Sequence, residues 1–293
     1  MGRLALLALI WGWSFLFIKV AGEGMTPTAV SAARIALGAA VMLLVLRARR
    51  ASLPRSRELW FHFAFQGFVG SAIPFALLAW GGQHVSSALA AVLNASTPLF
   101  AAAIAALMLR ERLRPSQLGG IALGFCGVGL AAGVGSSDLA GSSLLGAAAP
   151  VLAAACYGLS FSWARRYLSG VSPLVAATGQ LVAGSALIGP IGIATTLREG
   201  ISLTPTRIAA ITILGALGTG VAYVLNYRII RDVGPTRAAM VTQLVPIVAV
   251  TVGVVFLDEP FHVRLLFGGG LTLLGIALLH ERLRRFRRVP AAV

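Results

Sequence analysis

The sequence predicts an all-α integral membrane protein of ten transmembrane helices, arranged as two inverted five-helix repeats around a central cavity. Of its 293 residues, 58% are hydrophobic and 11% are charged, and the mean hydropathy is +0.88. Soluble domains contain about one-quarter charged residues. The apolar segments form two sets of five that have glycine, proline and glutamate at matching positions. The loops of the second set carry the opposite pattern of charge. These observations predict the fold class.

The apolar segments have the length of membrane-spanning helices, which need roughly 20 mostly apolar residues. Strands of a membrane barrel would give segments of about 10 alternating residues. The first segment is interpreted as a retained helix, because Trp11, Trp13 and Lys19 interrupt it and no small-residue cleavage site follows. The spans are expected near residues 2–20, 27–46, 61–82, 86–109, 115–134, 143–163, 173–196, 206–227, 234–257 and 263–281.

The second half of the chain repeats the first at two offsets. At an offset of 146, matching residues are Gly12, Ser14, Phe15, Pro27 and Gly38 with Gly158, Ser160, Phe161, Pro173 and Gly184. At an offset of 148, Pro98 and Glu111 match Pro246 and Glu259, with the same spacing of 13 in both halves. Self-similarity at a fixed offset is the signature of a duplicated unit. The predicted repeats span residues 1–137 and 141–293, the second ending in a basic cytoplasmic tail.

The distribution of arginine predicts that the second repeat is inverted. With the amino terminus in the cytoplasm, the inner segments hold 19 of the 24 basic residues, as the positive-inside rule requires. Arg110, Arg112 and Arg114 follow the fourth span, whereas no basic residue precedes Arg264 after the ninth. Both termini are therefore expected in the cytoplasm. Because the basic residues are divided among loops and do not form one face, no nucleic-acid partner is expected.

Four stretches of the chain are similar to a known family. They are IWGWSFLFIKV with Arg34 downstream, SAIPFALLAWGGQHVSSALAAVLNASTPLFAAAIAALMLRERL, CYGLSFSWARRYL and TQLVPIVAVTVGVVFLDEP. Through them the chain resembles the EamA-type members of the drug/metabolite transporter superfamily over nearly its whole length. The resemblance implies ten helices, both termini inside and alternating access at a central cavity. More loosely, it implies export of amino acids or related metabolites.

The residue types argue against ATP-driven transport and against an enzyme. Lys19 is the only lysine, and the chain has no phosphate-binding G-x-x-x-x-G-K-[ST] motif. No nucleophile and base, and no cluster of metal ligands, falls at membrane depth. We therefore expect no catalytic residue, no metal and no cofactor. Proton relays place Asp or Glu inside the bundle, and none lies near a span centre here, which favours facilitated exchange or uniport, or coupling through other groups.

Arg34 is the ionisable residue that lies deepest in a predicted span, seven residues after Pro27, or about 10 Å of helix rise. A charge at this depth costs at least about 2.5 kcal/mol unless it is paired or hydrated. Either Arg34 faces the cavity and attracts a substrate carboxylate, or it snorkels outward or bonds to carbonyls at a helix break. Its equivalent in the other repeat is Gln180. Lys19, near the outer boundary, is expected to snorkel to headgroups or to serve an outer vestibule.

The predicted binding centre lies beside paired helix kinks at Pro98 and Pro246, each of which removes a hydrogen bond from mid-span. The alternative is that prolines are simply commoner in membrane helices. Polar residues precede both prolines, namely Asn94, Thr97, Thr242 and Gln243. Pro98 and Pro246 are the predicted hinges. Glu111 and Glu259, which end the fourth and ninth spans, are predicted to be gate residues or structural ones.

Aromatic and neutral polar residues complete the predicted substrate-binding surface, which suits a zwitterion better than a sugar phosphate. They are Trp13, Ser14, Ser71, Trp80, Tyr157, Ser160, Trp163, Tyr223 and Asn226. Trp80 and Trp163 also fit an interfacial aromatic belt. Glycine-rich faces on the fifth and tenth spans pack helices or pair two protomers, so a monomer or weak homodimer is expected.

Together these features predict a secondary carrier that exports small organic metabolites across a bacterial inner membrane. The most favoured substrates are amino acids, including aromatic and neutral ones. The alternatives are a broad drug or nucleoside-type efflux carrier, a lipid flippase, and, outside transport, a channel or a non-transporting membrane scaffold.

Overall fold

The computed structural model describes residues 2–109, 113–133, 142–233, 238–259 and 262–280, and within these ranges it contains helices and no β-strand. Eight helical segments are long and apolar enough to cross a membrane, and two shorter apolar helices follow them. The segments are α1 (Gly2–Gly22), α2 (Pro27–Ala48), α3 (Arg57–Gly82), α4 (Ser87–Met108), α5 (Pro115–Ala132), α6 (Leu144–Tyr167), α7 (Pro173–Glu199), α8 (Pro205–Val233), α9 (Val241–Leu257) and α10 (Val263–Leu279).

These segments overlap all ten predicted spans. The all-helical, multi-pass membrane architecture is therefore confirmed. Because α9 and α10 are shorter than the others, the prediction that all ten cross the membrane remains a prediction, as does the inverted repeat.

Several helices begin at the same short motif, Ser or Thr followed by Pro. The Thr26 hydroxyl accepts a hydrogen bond from the backbone N–H of Ala29, and Pro27 occupies the first turn of α2, where its missing N–H costs nothing. The pairs Ser172–Pro173 and Thr204–Pro205 begin α7 and α8 in the same way. The starts of these helices are thus encoded locally.

Two long helices contain a π-helical turn that the sequence pattern does not predict. The turns are Phe68–Ala72 in α3 and Ala216–Val221 in α8, and their first residues are 148 positions apart. A π turn disturbs the regular helical hydrogen bonds and is frequent at functional sites. Side chains compensate here, because the Tyr223 hydroxyl donates to the Gly70 carbonyl at 2.5 Å and the Thr219 hydroxyl donates to the Leu214 carbonyl at 3.1 Å.

The two prolines predicted as paired kinks lie in different surroundings. Helix α4 breaks at Ala95 and Ser96, and Pro98 is the second residue of the helix Thr97–Leu109 that follows. At that position a proline removes no intrahelical hydrogen bond, because the first N–H groups of a helix have no partner. Pro246 does lie inside its helix. The break in α4 therefore precedes Pro98, and of these two prolines it is Pro246 that lies within a continuous helix.

Helices α5 and α10 pack with their backbones in contact at glycines. A Cβ atom added at Gly120 would lie 2.6 Å from the Gly275 carbonyl oxygen, and one added at Gly127 would lie 2.6 Å from that of Gly268. Adding 148 to Gly120 and Gly127 gives Gly268 and Gly275, so the repeat exchanges the two contacts. These glycine faces therefore serve packing within the chain.

A second pair of close glycine–backbone contacts is also related by the offsets of the predicted repeat. A Cβ atom added at Gly67 would lie 2.8 Å from the Gln180 carbonyl oxygen, and one added at Gly215 would lie 3.1 Å from that of Arg34. The offsets of 148 and 146 convert the first contact into the second. Both contacts join a helix of the first half to a helix of the second.

Candidate functional site

A central cavity lies between the two halves and is lined by eight helical segments, all but α5 and α10. Its empty volume is about 720 Å³, including the part that is open to solvent. Most of the wall is apolar or aromatic, and a few polar groups project from it. Such a surface is typical of a site for a small organic molecule.

Eight of the residues predicted for substrate binding line this cavity. They are Ser14, Arg34, Asn94, Tyr157, Ser160, Tyr223, Asn226 and Thr242. Six helices supply them, and Ser14 and Ser160 are equivalent positions of the two predicted repeats. The structure thus gathers most of the predicted set around one space, and their role in binding is taken up below as a proposal.

The other six predicted residues do not line the cavity: Trp13, Ser71, Trp80, Thr97, Trp163 and Gln243. Ser71 and Thr97 are fully buried behind its wall. Trp163 stacks on Phe65 with ring centroids 3.8 Å apart, and Trp13 packs on Phe256. Gln243 and Pro246 line a separate apolar groove between α4, α9 and α10. The reason is helical phase, since neighbours such as Trp13 and Ser14 point about 100° apart.

The cavity also has lining residues that the sequence did not identify: Trp11, Phe15, Ile18, Gln66, Gly70, Phe75, Leu78, Phe161, Gln180, Tyr227, Ile230 and Val245. Some of these residues could have been recognised from the sequence. Gln66 and Gln180 are polar residues inside apolar spans, and Trp11 and Ile18 lie three and four residues from Ser14, on the same helical face. The apolar lining residues could not have been recognised, because in the sequence they resemble any other residue of a helix core.

Arg34 is a buried cation with few protein partners. Only 2% of the residue is exposed, so it does not snorkel to the surface. Its Nε donates to the Thr219 hydroxyl at 3.1 Å, and its guanidinium carbon lies 3.6 Å from the centre of the Phe75 ring. Among the described residues no carboxylate pairs with it, and its terminal nitrogens form no hydrogen bond there. A fixed, unneutralised cation of this kind favours an anionic ligand group.

Three amide oxygens of the wall lack a hydrogen-bond donor. Asn94 Oδ1, Asn226 Oδ1 and Gln66 Oε1 are buried and accept no hydrogen bond from the described part of the chain. A buried acceptor without a partner costs about 1–3 kcal/mol. Donor groups on a bound molecule would remove this cost. The cavity therefore offers acceptors as well as one cation.

A chain of hydrogen bonds surrounds Gln180, the predicted equivalent of Arg34. The Tyr227 hydroxyl donates to Gln180 Oε1 at 2.5 Å and accepts from Gln66 Nε2 at 3.2 Å. Gln180 Nε2 donates to the Ser71 hydroxyl at 2.9 Å. Each π turn thus supplies a hydroxyl to the polar residue of the opposite half. Gln180 uses its oxygen and nitrogen within the protein, whereas the terminal nitrogens of Arg34 remain available.

Replacing Tyr227 with Phe tests the contribution of this network. Tyr227→Phe leaves Gln66 and Gln180 each without one partner, and we expect the free energy of unfolding in detergent to fall by about 1 kcal/mol. Tyr167→Phe is the matched control, because Tyr167 is 37% exposed. Denaturant titration followed by circular dichroism measures both. Equal effects of the two variants would contradict a network role for Tyr227.

Glu259 is the buried acid among the described residues, with 6% of the residue exposed. Its Oε1 lies 2.5 Å from Lys19 Nζ, and its carboxylate also accepts from the backbone N–H groups of Ser87 at 3.0 Å and Ala88 at 3.4 Å. Lys19 is therefore engaged by an ion pair in this structure. Glu111, the other predicted gate residue, lies outside the described residues.

The pKa of Glu259 reflects two opposing influences. Burial alone would raise the pKa, but the hydrogen bonds from Lys19 and from the backbone of Ser87 and Ala88 outweigh it and hold the pKa below the ordinary value of 4.5. The ion pair therefore stabilises the fold fully above that ordinary value. The contribution is lost as the pH falls through the lowered pKa.

The described residues contain no group of three or more His, Cys, Asp or Glu side chains placed to hold a metal ion. His62 stacks on the ring of Tyr167, with ring centroids 4.6 Å apart. The polar chemistry of the cavity is therefore that of Arg34, amides and hydroxyls.

Known proteins place the chain in a family. The profile of the EamA-like transporter family matches residues 3–133 and 144–280. An uncharacterized transporter of Archaeoglobus fulgidus is 28% identical over 280 residues, covering 94% of this chain and 96% of the relative. A probable terminal-alkyne amino-acid exporter of Streptantibioticus cattleyicolor is 29% identical, covering 97% and 94%.

A transporter of S-adenosylmethionine and S-adenosylhomocysteine from Chlamydia trachomatis is 28% identical, covering 95% of this chain and 88% of the relative. A crystal structure that is 22% identical superposes with a TM-score of 0.69 over 97% of both chains, which supports the fold alone. With both halves of the sequence matched by the same profile, the chain belongs to the EamA-like transporter family.

Proposed function

We propose that this protein is a secondary carrier that exports small organic metabolites bearing a carboxylate, with amino acids, including aromatic and neutral ones, as the favoured class. The observation that carries the proposal is Arg34, a buried cation in the wall of the central cavity with no carboxylate partner among the described residues. A substrate carboxylate would neutralise it through charge-assisted hydrogen bonds. Donors such as an ammonium group would satisfy the free amide oxygens of Asn94, Asn226 and Gln66.

The named relatives are consistent with this substrate class. One is named as an amino-acid exporter and another as a transporter of S-adenosylmethionine and S-adenosylhomocysteine. All of these molecules carry an amino group and a carboxylate on one carbon atom. Substrates that share this group and differ in the remaining part would need one polar subsite and a tolerant apolar wall.

Alternating access between two inverted five-helix halves is the proposed mechanism. The reciprocal contacts of Gly120 with Gly275 and of Gly127 with Gly268 support a pseudo-twofold relation, as does the match of one family profile to each half. Inverted repeats with the substrate site between them are common among secondary transporters. The arginine distribution supports placement in a bacterial inner membrane with both termini in the cytoplasm.

The proposed transport is facilitated exchange or uniport by a monomer or weak homodimer. Among the described residues that line the cavity none is acidic, which argues against a carboxylate proton relay in that part of its wall. Uphill uptake driven by an imposed pH gradient would contradict this part of the proposal.

Uptake into proteoliposomes tests the substrate class. Purified protein is reconstituted and offered radiolabelled amino acids, S-adenosylmethionine, nucleosides and a cationic drug, with protein-free liposomes as the control. We expect saturable uptake of molecules with a free carboxylate and little uptake of the others. Uptake restricted to nucleosides or cationic drugs would contradict the proposed class and favour a broader efflux carrier.

A further inference from the structure

Three helices that line the cavity meet again at one end of the bundle, around the carboxylate of Glu259. Lys19 projects from the end of α1, Ser87 and Ala88 begin α4, and Glu259 follows α9. With the orientation given by the proposed function, this is the outer end. The meeting point joins α1 and α4 of the first half to α9 of the second.

The local structure is built to hold a carboxylate. Glu259 receives three donors, one of them charged, and the side chain is 4% exposed whereas that of Lys19 is 34% exposed. The amino terminus of α4 favours a negative charge through its free N–H groups. Gly253 leaves the required space, since a Cβ atom added there would lie 2.7 Å from Glu259 Oε2. By contrast, the outer pair of Arg207 and Glu23 spans 3.4 Å, and the Glu23 side chain is 59% exposed.

The ion pair is directly connected to the cavity. Ile18, which precedes Lys19 in α1, is 4% exposed and lines the cavity wall. Asn94 in α4 and Val245 in α9 line the same space. A separation of α1 from α9 at this end would pull Lys19 away from Glu259, and a separation of α9 from α4 would pull Glu259 away from the N–H groups of Ser87 and Ala88. Removing Lys19 would leave the buried carboxylate of Glu259 without its cation, which is unfavourable.

We propose that Lys19 and Glu259 form the outer latch of the transport cycle, an ion pair that is closed in this structure and must break before the cavity opens to the outside. This inference rests on the proposed function for its orientation. The predicted repeat places Arg165 and Glu111 at the equivalent positions of the other end, but the proposal concerns only Lys19 and Glu259.

Thiol labelling tests the latch without any substrate. In a background in which both native cysteines, Cys126 and Cys156, are replaced, a reporter cysteine is placed at Leu78, a cavity residue that is 6% exposed. A membrane-impermeant methanethiosulfonate reagent is added to the outside of oriented vesicles. We expect Glu259→Gln and Lys19→Gln each to raise the labelling rate at least about tenfold, because the closed state loses its ion pair.

Two further variants separate a latch from a general structural role. Glu23→Gln, which removes the exposed pair with Arg207, is the matched control and is expected to leave the labelling rate unchanged. Lys19→Arg, which keeps a positive charge opposite the Glu259 carboxylate, is expected to keep most of the slow labelling. Glu259→Gln could fail to fold, and Lys19→Gln covers that case. In Lys19→Gln the Glu259 carboxylate keeps its two backbone donors, the N–H groups of Ser87 and Ala88.

The outcomes are distinct from those of the transport assay. An unchanged labelling rate in both single variants, or an equal rise in Glu23→Gln, overturns the latch. Faster labelling only from the cytoplasmic side overturns its outer position. Faster outside labelling in a protein that takes up no metabolite supports the latch and contradicts the proposed function instead.

Discussion

Replacing Arg34 with Gln is expected to lower carrier-mediated amino-acid uptake at least about 30-fold. The variant removes the charge that would pair with the substrate carboxylate, and truncating one partner of a buried charge pair costs about 2–5 kcal/mol. Gln keeps a hydrogen-bond donor for Thr219, which limits damage to the π turn of α8. Initial uptake rates of a radiolabelled amino acid into proteoliposomes measure the effect.

The control for Arg34→Gln is Arg198→Gln, which removes an exposed arginine at the end of α7. We expect this control to transport at the parent rate. A second comparison isolates the carboxylate, because the parent should prefer an amino acid to its carboxamide and Arg34→Gln should lose that preference. An Arg34→Gln protein that transports normally, or that keeps the preference, would remove Arg34 from substrate recognition.

A leucine in the contact between α5 and α10 is expected to destabilise the fold strongly. A Cβ atom added at Gly127 would lie 2.5 Å from the Thr272 backbone nitrogen and 2.6 Å from the Gly268 carbonyl oxygen, so the obstacle is backbone. Overpacking costs typically about 1–3 kcal/mol, and we expect Gly127→Leu to reach the upper end because the obstructing atoms are backbone and cannot rotate away as a side chain can.

Gly129→Leu is the matched control on the same helix, since a Cβ atom there would have no neighbour within 4 Å. Thermal unfolding in detergent, followed by fluorescence-detected size-exclusion chromatography, compares the two variants. We expect a clear loss of folded protein for Gly127→Leu only. If Gly129→Leu were the more damaging variant, the packed face of α5 would be the opposite one.

The helices were predictable from the sequence because their signals are local. Runs of apolar residues gave the segments, and pairs such as Thr26–Pro27 gave their starts. The π turns at Phe68–Ala72 and Ala216–Val221 were not predicted, because both segments are apolar on most of their faces and the phase shift caused by one extra residue leaves no visible break in the sequence. Their equivalence at an offset of 148 adds to the resemblance between the two halves.

The candidate site was predictable where a polar residue interrupts an apolar span, as at Arg34, Asn94 and Asn226. Residues near the correct helical face but one position away, such as Trp13, were not distinguished from lining residues such as Trp11. The pairing of Lys19 with Glu259 was also missed, because 240 positions separate the two residues. Such contacts depend on how distant helices meet, which no local pattern records.

The asymmetry between the halves explains how the site carries a charge at a single point. The equivalent residues Arg34 and Gln180 both bond to a hydroxyl of a π turn, Thr219 and Ser71. Gln180 is further engaged by Tyr227, whereas Arg34 retains free donors beside the cavity. A shared scaffold thus leaves one charged position, and we infer that this position orients the substrate.

Counterflow in proteoliposomes is the measurement that tests the carrier proposal most directly. Vesicles containing the purified protein are loaded with an unlabelled amino acid, diluted, and given a trace of the same amino acid in radiolabelled form. A carrier with one alternately accessible site should accumulate label transiently above equilibrium, and Arg34→Gln vesicles should not. Uptake without any acceleration by internal substrate would instead indicate a channel, and no uptake of any carboxylate-bearing metabolite would contradict the proposed function.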